Sequence, residues 1–243
     1  MRTALAVLVV ACLWPRTVHA GRSFYGWLYG TEVMPERGVE LQTWIVEEDS
    51  KYATNTQHSS IWWGPLIGIT DQLELALPLE LDWERSDVEK VSFTFKRFGL
   101  EARYRLVTQD PVEAPPLVPL VRLAIKRDVT QRDDVRVEGD VVASYEVGAV
   151  HALVDLGVIS DITPHTHHTE MRPSGGVSVR VTGELRVGAE AYAELSLDSL
   201  GESWVAVGPN VAWTHGRFWL SGAFGIGVYH INAAPRVMWG IAF

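Results

Sequence analysis

Three observations predict an all-β fold, a twelve-stranded antiparallel up-and-down transmembrane β-barrel. They are a strict two-residue alternation of apolar and polar side chains, an exported N-terminus without disulfides, and connections that alternate between short and long. The clearest alternation runs from Leu73 to Glu84, where Leu73, Leu75, Leu77, Leu79, Leu81 and Trp83 interleave with Glu74, Ala76, Pro78, Glu80, Asp82 and Glu84. Successive side chains of a strand point to opposite faces, so this stretch has one apolar and one acidic face. Its length suits a strand tilted across a bilayer. Alone, the pattern equally fits a half-buried strand of a soluble sandwich, and the other two observations decide between them.

The N-terminus predicts export. Arg2, the apolar run Ala4 to Leu13 and the small-residue site Val18-His19-Ala20 form a secretory signal peptide, residues 1–20, cut before Gly21. The run is too short to span a bilayer as a helix. A competing reading takes Val9-Val10-Ala11-Cys12 as a lipoprotein box that leaves an acylated Cys12; the apolar region continues past Cys12 to a second good site, which favours the first reading. Cys12 is the only cysteine, so the mature chain is exported yet has no disulfide. A large core or a membrane must hold it.

Composition narrows the class. The chain has 21 Lys plus Arg against 30 Asp plus Glu, and the leader removes two positive charges, Arg2 and Arg16. So acidic a chain is no nucleic-acid binder. Hydrophobic residues make up 47% of the chain and include 10 Trp, yet no apolar run approaches the length of a membrane helix. Apolar residues that are plentiful but dispersed in alternation are what a membrane barrel requires.

In chain order, residues 21–37 hold aromatics (Phe24, Tyr25, Trp27, Tyr29) and end in the turn signal Met34-Pro35-Glu36-Arg37-Gly38. They read as a periplasmic or lumen-inserted segment ahead of the barrel, residues 38–243. Strand one is Val39 to Glu47, with Glu40, Gln42 and Trp44 opposite Val39, Leu41 and Ile45. After a polar loop, Glu48 to Ser59, strand two places Trp62, Gly64, Leu66 and Gly68 opposite Ile61, Trp63, Ile67 and Ile69. Strand three is the stretch from Leu73. In strand four, Phe98, Leu100, Ala102, Tyr104 and Leu106 face out and Glu101, Arg103 and Arg105 face in. Phe93 and Phe95 are out of phase with it, which predicts a bulge near Lys96 and Arg97.

A proline-rich turn, Gln109 to Pro116, leads to strand five, with Arg122, Ala124 and Lys126 inward. Strand six has Arg136, Glu138, Asp140 and Glu146 inward, and strand seven His151 and Asp155. Ser160 to Ser174 reads as the longest polar loop. Strand eight carries Ser178 and Arg180 inward, strand nine Arg186, Glu190, Tyr192 and Glu194, and strands ten to twelve complete the set, ending at Trp213, Tyr229 and Phe243. Connections after even-numbered strands are mostly short and those after odd-numbered strands mostly long and polar, the asymmetry of outer-membrane barrels. An even strand number puts both termini on the short-turn, periplasmic side. There Tyr104, Tyr145, Trp213, Phe218 and Phe243 form one aromatic girdle, with Trp63 and Trp83 toward the other.

The last strand, with Val237, Trp239, Ile241 and Phe243 on one face, resembles the C-terminal signature recognised by the outer-membrane assembly machinery of Gram-negative bacteria. The resemblance implies an assembly signal at Trp239, Ile241 and Phe243, that machinery as a partner, and surrounding lipid and lipopolysaccharide. The stretch Tyr29-Gly30-Thr31-Glu32-Val33-Met34-Pro35, with Gly38, Glu40 and Trp44, resembles the start of a group of uncharacterised, porin-like proteobacterial outer-membrane proteins. It implies no chemistry.

Each candidate site also has a plainer reading. His165, His167 and His168, near Asp161 and Glu170, offer Zn or Cu donors in one loop; against this, a solvated loop has no second shell to orient them. His58-Ser59-Ser60 resembles in part the His and Ser of a lipid-hydrolysing twelve-stranded barrel, but a matching Asn and the surrounding motif are missing. Gly222, Gly225 and Gly227 lie within an alternating strand with no helix after it, so they read as thin packing rather than a nucleotide loop. No cofactor and no catalytic residue is implied.

The function expected is therefore a channel or transporter for a small solute. The alternative is a non-conducting structural or loop-binding barrel. The lumen divides in two. Its charged side comprises Glu74, Glu80, Asp82, Arg103, Arg105, Arg122, Lys126, Glu138, Asp140, Asp155, Arg180, Glu190 and Glu194, whose mixed signs suit a structural ladder more than a selectivity filter. Its apolar side, with Trp44, Trp62, Trp204, Trp219 and Met238 among many glycines and alanines, has volume to fill. Phe24 to Tyr29 is the spare aromatic stretch able to fill it and to narrow the path to the charged side. The competing expectation is an open apolar wall serving a hydrophobic solute.

Overall fold

The computed structural model describes residues 23–53, 56–85, 92–110 and 113–243. The expected leader 1–20, its cut before Gly21, and Cys12 lie outside these residues. The strand segments are β1 (Val39–Asp49), β2 (Gln57–Gly68), β3 (Leu73–Ala76), β4 (Leu79–Arg85), β5 (Ser92–Arg105), β6 (Leu117–Asp128), β7 (Val135–Val147), β8 (Val150–Ile162), β9 (His167–Arg180), β10 (Leu185–Ser196), β11 (Trp204–His215), β12 (Phe218–Tyr229) and β13 (Ala233–Ala242). Each pairs antiparallel with its neighbours, β3 and β4 both lie between β2 and β5, and β1 closes the ring on β13. Since β3 and β4 are two halves of one stave, the closed barrel has twelve strands.

That break is the first departure from expectation. The alternation from Leu73 to Glu84 predicts one continuous strand, but Pro78 has no N–H to give to the ladder. Leu77 N donates instead to Pro65 O and Gly99 N to Pro78 O, each at 3.1 Å. Pairing thus spans the gap, and Glu74 and Glu80 on either side both remain buried. The bulge lies at Lys96: the register steps from Glu80↔Arg97 to Leu81↔Phe95. The extra residue leaves Phe93, Phe95 and Phe98 all outward and lets both Lys96 and Arg97 line the interior.

Ser160 to Ser174 is not a loop. The ladder runs through it from Asp155↔Ser174 to Ile162↔His167. Backbone hydrogen bonds do not depend on side-chain polarity, so a hairpin can continue past the point where hydrophobic alternation stops. The length asymmetry is also weaker than predicted, because the β5–β6 connection, at the end with the tight turns, is longer than any at the opposite end.

The exterior is apolar. Leu123, Val141 and Leu156 stand about 60% exposed (60%, 58% and 59%) among many similar residues. An apolar belt this extensive needs an apolar solvent. Tyr104, Tyr145, Trp213 and Phe243 are exposed near the tight-turn ends of their strands, where aromatic rings favour a membrane interface. The buried core lies inside the barrel, and residues 23–34 are part of it: Tyr25, Trp27, Leu28, Tyr29, Val33 and Met34 are all buried.

Candidate functional site: the lumen and its N-terminal segment

The charged wall, from β3 to β9, is a connected network. Arg122 on β6 is fully buried; its Nη2 donates to Glu101 and Glu138, each at 2.7 Å, and its Nη1 to Asp140 at 2.6 Å. Lys126, two positions along the same face, donates to Glu80 (2.5 Å) and Glu138 (2.6 Å). Arg103 Nε donates to Glu101 at 2.7 Å and Arg172 Nη2 to Asp140 at 3.1 Å. Period-two spacing on adjacent strands brings these groups together, and mutual hydrogen bonding makes their burial tolerable.

The opposite wall, from β11 through β13 to β1 and β2, is apolar. Trp204 (0%), Trp219 (1%), Trp62 (1%) and Met238 (2%) have almost no solvent contact, and Trp44 is half-buried. Part of what covers them is the N-terminal segment. The Trp27 ring packs 4.6 Å from Tyr192 and 5.6 Å from Trp204, and its Nε1 donates to Ala234 O at 2.9 Å. Met34 packs with Trp62, Trp219 and Met238. Two glycines set the fit by close approach: a Cβ on Gly26 would stand 2.6 Å from the Ala223 Cβ, and one on Gly176 would stand 2.6 Å from the Tyr25 ring.

Residues 23–34 form no regular secondary structure, so their buried backbone groups need partners from elsewhere. The walls supply them. Glu190 accepts from Gly26 N (2.9 Å) and Trp27 N (3.1 Å), Glu74 accepts from Met34 N (2.7 Å), and Ser221 Oγ donates to Tyr25 O (3.0 Å). Tyr25 OH donates to His151 O at 2.9 Å, and Thr31 and Ser144 share a hydrogen bond of 2.6 Å. Tyr29 reaches the charged wall, its ring 4.1 Å from the Arg122 Cζ. The segment thus crosses the lumen from one wall to the other.

On the side of the β1–β2 and β10–β11 connections lies a cavity of about 330 Å³, floored by Trp27 and Tyr29 and lined by Lys51, Glu80, Lys96, Arg97, Lys126, Glu194, Arg236 and other charged residues. Lys51, in the short turn Lys51–Ala53, sits at its mouth and pairs with Glu194 (2.8 Å) and Glu48 (3.0 Å). Burial works against its charge, but these two carboxylates outweigh burial and hold the ammonium pKa well above its ordinary value. On the far side of Tyr29 is a void of only about 20 Å³.

Of the charged residues singled out in the sequence, Glu74, Glu80, Arg103, Arg105, Arg122, Lys126, Glu138, Asp140, Asp155, Glu190 and Glu194 are buried and Asp82 half-buried. Arg180 differs: its side chain is 47% exposed beside Glu146 at the barrel rim, because it ends β9. The three histidines do not converge. His167 and His168 are consecutive on β9 and point to opposite faces; His168 lies between Glu170 (3.2 Å) and Asp198 (3.0 Å), and His165 is exposed in the turn. Among the described residues no three donors gather as a metal site. His58 faces Asp82 (3.7 Å) and Glu48 (3.8 Å), and no hydrogen bond joins it to a serine among those residues. Glu170, read only as a possible metal donor, and Arg172 were missed as lumen residues because they fall in the expected loop; their alternation with the outward Met171 is that of a strand, and is visible in the sequence.

Fold and interior define an outer-membrane-type β-barrel. No family model and no curated protein matches the chain. Among solved structures it is similar to an outer membrane channel from Pseudomonas putida F1, with 10% identity, a TM-score of 0.62, and coverage of 89% of this chain and 99% of that one. It is also similar to the KdgM porin in complex with disordered oligogalacturonate (8% identity, TM-score 0.55, 85% and 99% covered) and to the NanC porin (7%, 0.53, 84% and 98%). At these identities the likeness is one of fold.

Proposed function

We propose that this chain is an outer-membrane channel or transporter for a small solute, held closed by its own N-terminal segment. The observation that carries the reading is the cavity of about 330 Å³, lined by charges of both signs and floored by Trp27 and Tyr29. That volume is within the range of small-molecule sites, ~300–1,000 Å³, and its floor is a non-covalently held segment rather than a wall. The likeness to an outer membrane channel and to porins supports the class. In this reading the barrel sits in the outer membrane of a Gram-negative bacterium, exported by the cleaved leader and inserted by assembly machinery that recognises Trp239, Ile241 and Phe243. Lipid and lipopolysaccharide surround its apolar belt.

A non-conducting structural barrel is the rival, and one observation favours it: mid-lumen groups such as Arg122, Leu120, Glu101 and Trp219 have almost no solvent contact. Planar-bilayer recording separates the two. The channel reading expects discrete conductance steps. A correctly folded barrel that stays silent even without the N-terminal segment supports the rival.

A further inference from the structure

One basic residue interrupts the apolar wall. Arg236 on β13 faces inward, is 5% exposed and lines the cavity. Its guanidinium carbon lies 4.0 Å from the Trp44 ring centroid and 5.2 Å from that of Trp27. Indole contact of this kind stabilises the cation and fixes its orientation. What the guanidinium has left to offer is its N–H edge. Among the described residues, Nη1 donates to Trp27 O at 3.3 Å, Nε has no partner, and no carboxylate pairs with the group. Glu190, a carboxylate on β10 three staves away, is engaged by the backbone of Gly26 and Trp27.

The other cations of the cavity differ. Lys51, Lys126 and Arg136 are each held by carboxylates at 3.0 Å or less. Lys96 pairs with Asp128 at 3.2 Å, Arg172 with Asp140 at 3.1 Å and Arg97 with Glu80 at 3.7 Å, although both arginines leave their own Nε unpartnered. A buried, fixed guanidinium with a free edge is costly unless an acceptor meets it, and a planar oxyanion meets it best, through paired charge-assisted hydrogen bonds. Most of the remaining lining is polar, with acceptors and donors such as Glu80, Ser60 and Lys126 beside a few apolar side chains such as Val46 and Ile159, which suits hydroxyl groups more than a hydrocarbon.

We propose that Arg236 is the anchor of a binding site for a small, polar, hydroxylated carboxylate, received in the cavity above Trp27 with its carboxylate on the guanidinium edge. The site deepens the channel reading and rests on the lumen being a solute path. Isothermal titration of the full mature barrel in detergent tests it, with gluconate as probe and sorbitol as its neutral counterpart of the same length. Saturable gluconate binding at least tenfold tighter than sorbitol binding is expected. Arg236→Lys, which keeps the charge but not the planar fork, should weaken gluconate at least tenfold, and Arg236→Gln should abolish it; circular dichroism and heat-modifiable gel mobility report folding. Equal binding of the two probes, no gluconate binding, or unchanged affinity in a folded Arg236→Lys barrel would overturn the proposal. Arg236-dependent binding without conductance would leave the site standing and end the channel reading. Conductance without such binding would end the site alone.

Discussion

Two walls of one lumen, built from the same alternating strands, answer opposite problems. From β3 to β9 the inward positions are crowded with charge, and the groups satisfy one another within the wall: Arg122 alone holds Glu101, Glu138 and Asp140. From β11 round to β2 they are mainly indoles, alanines and glycines, broken by a few polar groups such as Glu40, which accepts from Trp219 Nε1 at 3.0 Å; they leave volume unfilled, and a separate piece of chain covers them. The comparison teaches that a charged wall can be completed by its strand neighbours, whereas an apolar wall facing a lumen needs something brought to it. The N-terminal segment is that covering, and its polar backbone is in turn held by carboxylates such as Glu190 and Glu74.

The largest effect is expected on the charged side. Arg122→Ala leaves three buried carboxylates without their shared cation and should cost about 3–5 kcal/mol, read by urea unfolding of the barrel in lipid vesicles; a loss below about 1 kcal/mol would mean that water, not Arg122, satisfies them. Where the N-terminal segment meets β9, Gly176→Leu pushes a side chain into the space of the Tyr25 ring. Overpacking of about 1–3 kcal/mol should dislodge the segment and expose it to protease, and a segment that stays protected would contradict the close fit. Glu190→Gln replaces one accepting oxygen by a donor facing a backbone N–H, which should cost roughly 1–3 kcal/mol and lower the unfolding midpoint. Smallest of all, Arg180→Ala at the rim should change stability by no more than about 1 kcal/mol; a loss as large as that of Arg122→Ala would erase the distinction between rim and network.

Much of this contrast was legible because a barrel strand writes its two faces into the sequence at period two. Leu73 to Glu84 shows both faces, and the phase change between Phe95 and Phe98 marks the extra residue, Lys96. What stayed hidden had no apolar marker. The β8–β9 hairpin continues on backbone hydrogen bonds through Ser160 to Ser174, so Glu170 and Arg172 passed for loop residues. The break at Pro78 was hidden for the opposite reason, since the alternation keeps its phase across it. Arg236 has no local marker: its place between Trp27 and Trp44 depends on the segment that crosses the lumen, which no local pattern encodes.

The claim that the N-terminal segment completes the apolar wall and closes the lumen is tested most directly by single-channel recording of the mature barrel with and without residues 21–34, paired with urea unfolding of both. If the segment fills the lumen, its deletion raises conductance and lowers stability together. If neither changes, the segment is not what covers the wall, and the account is wrong.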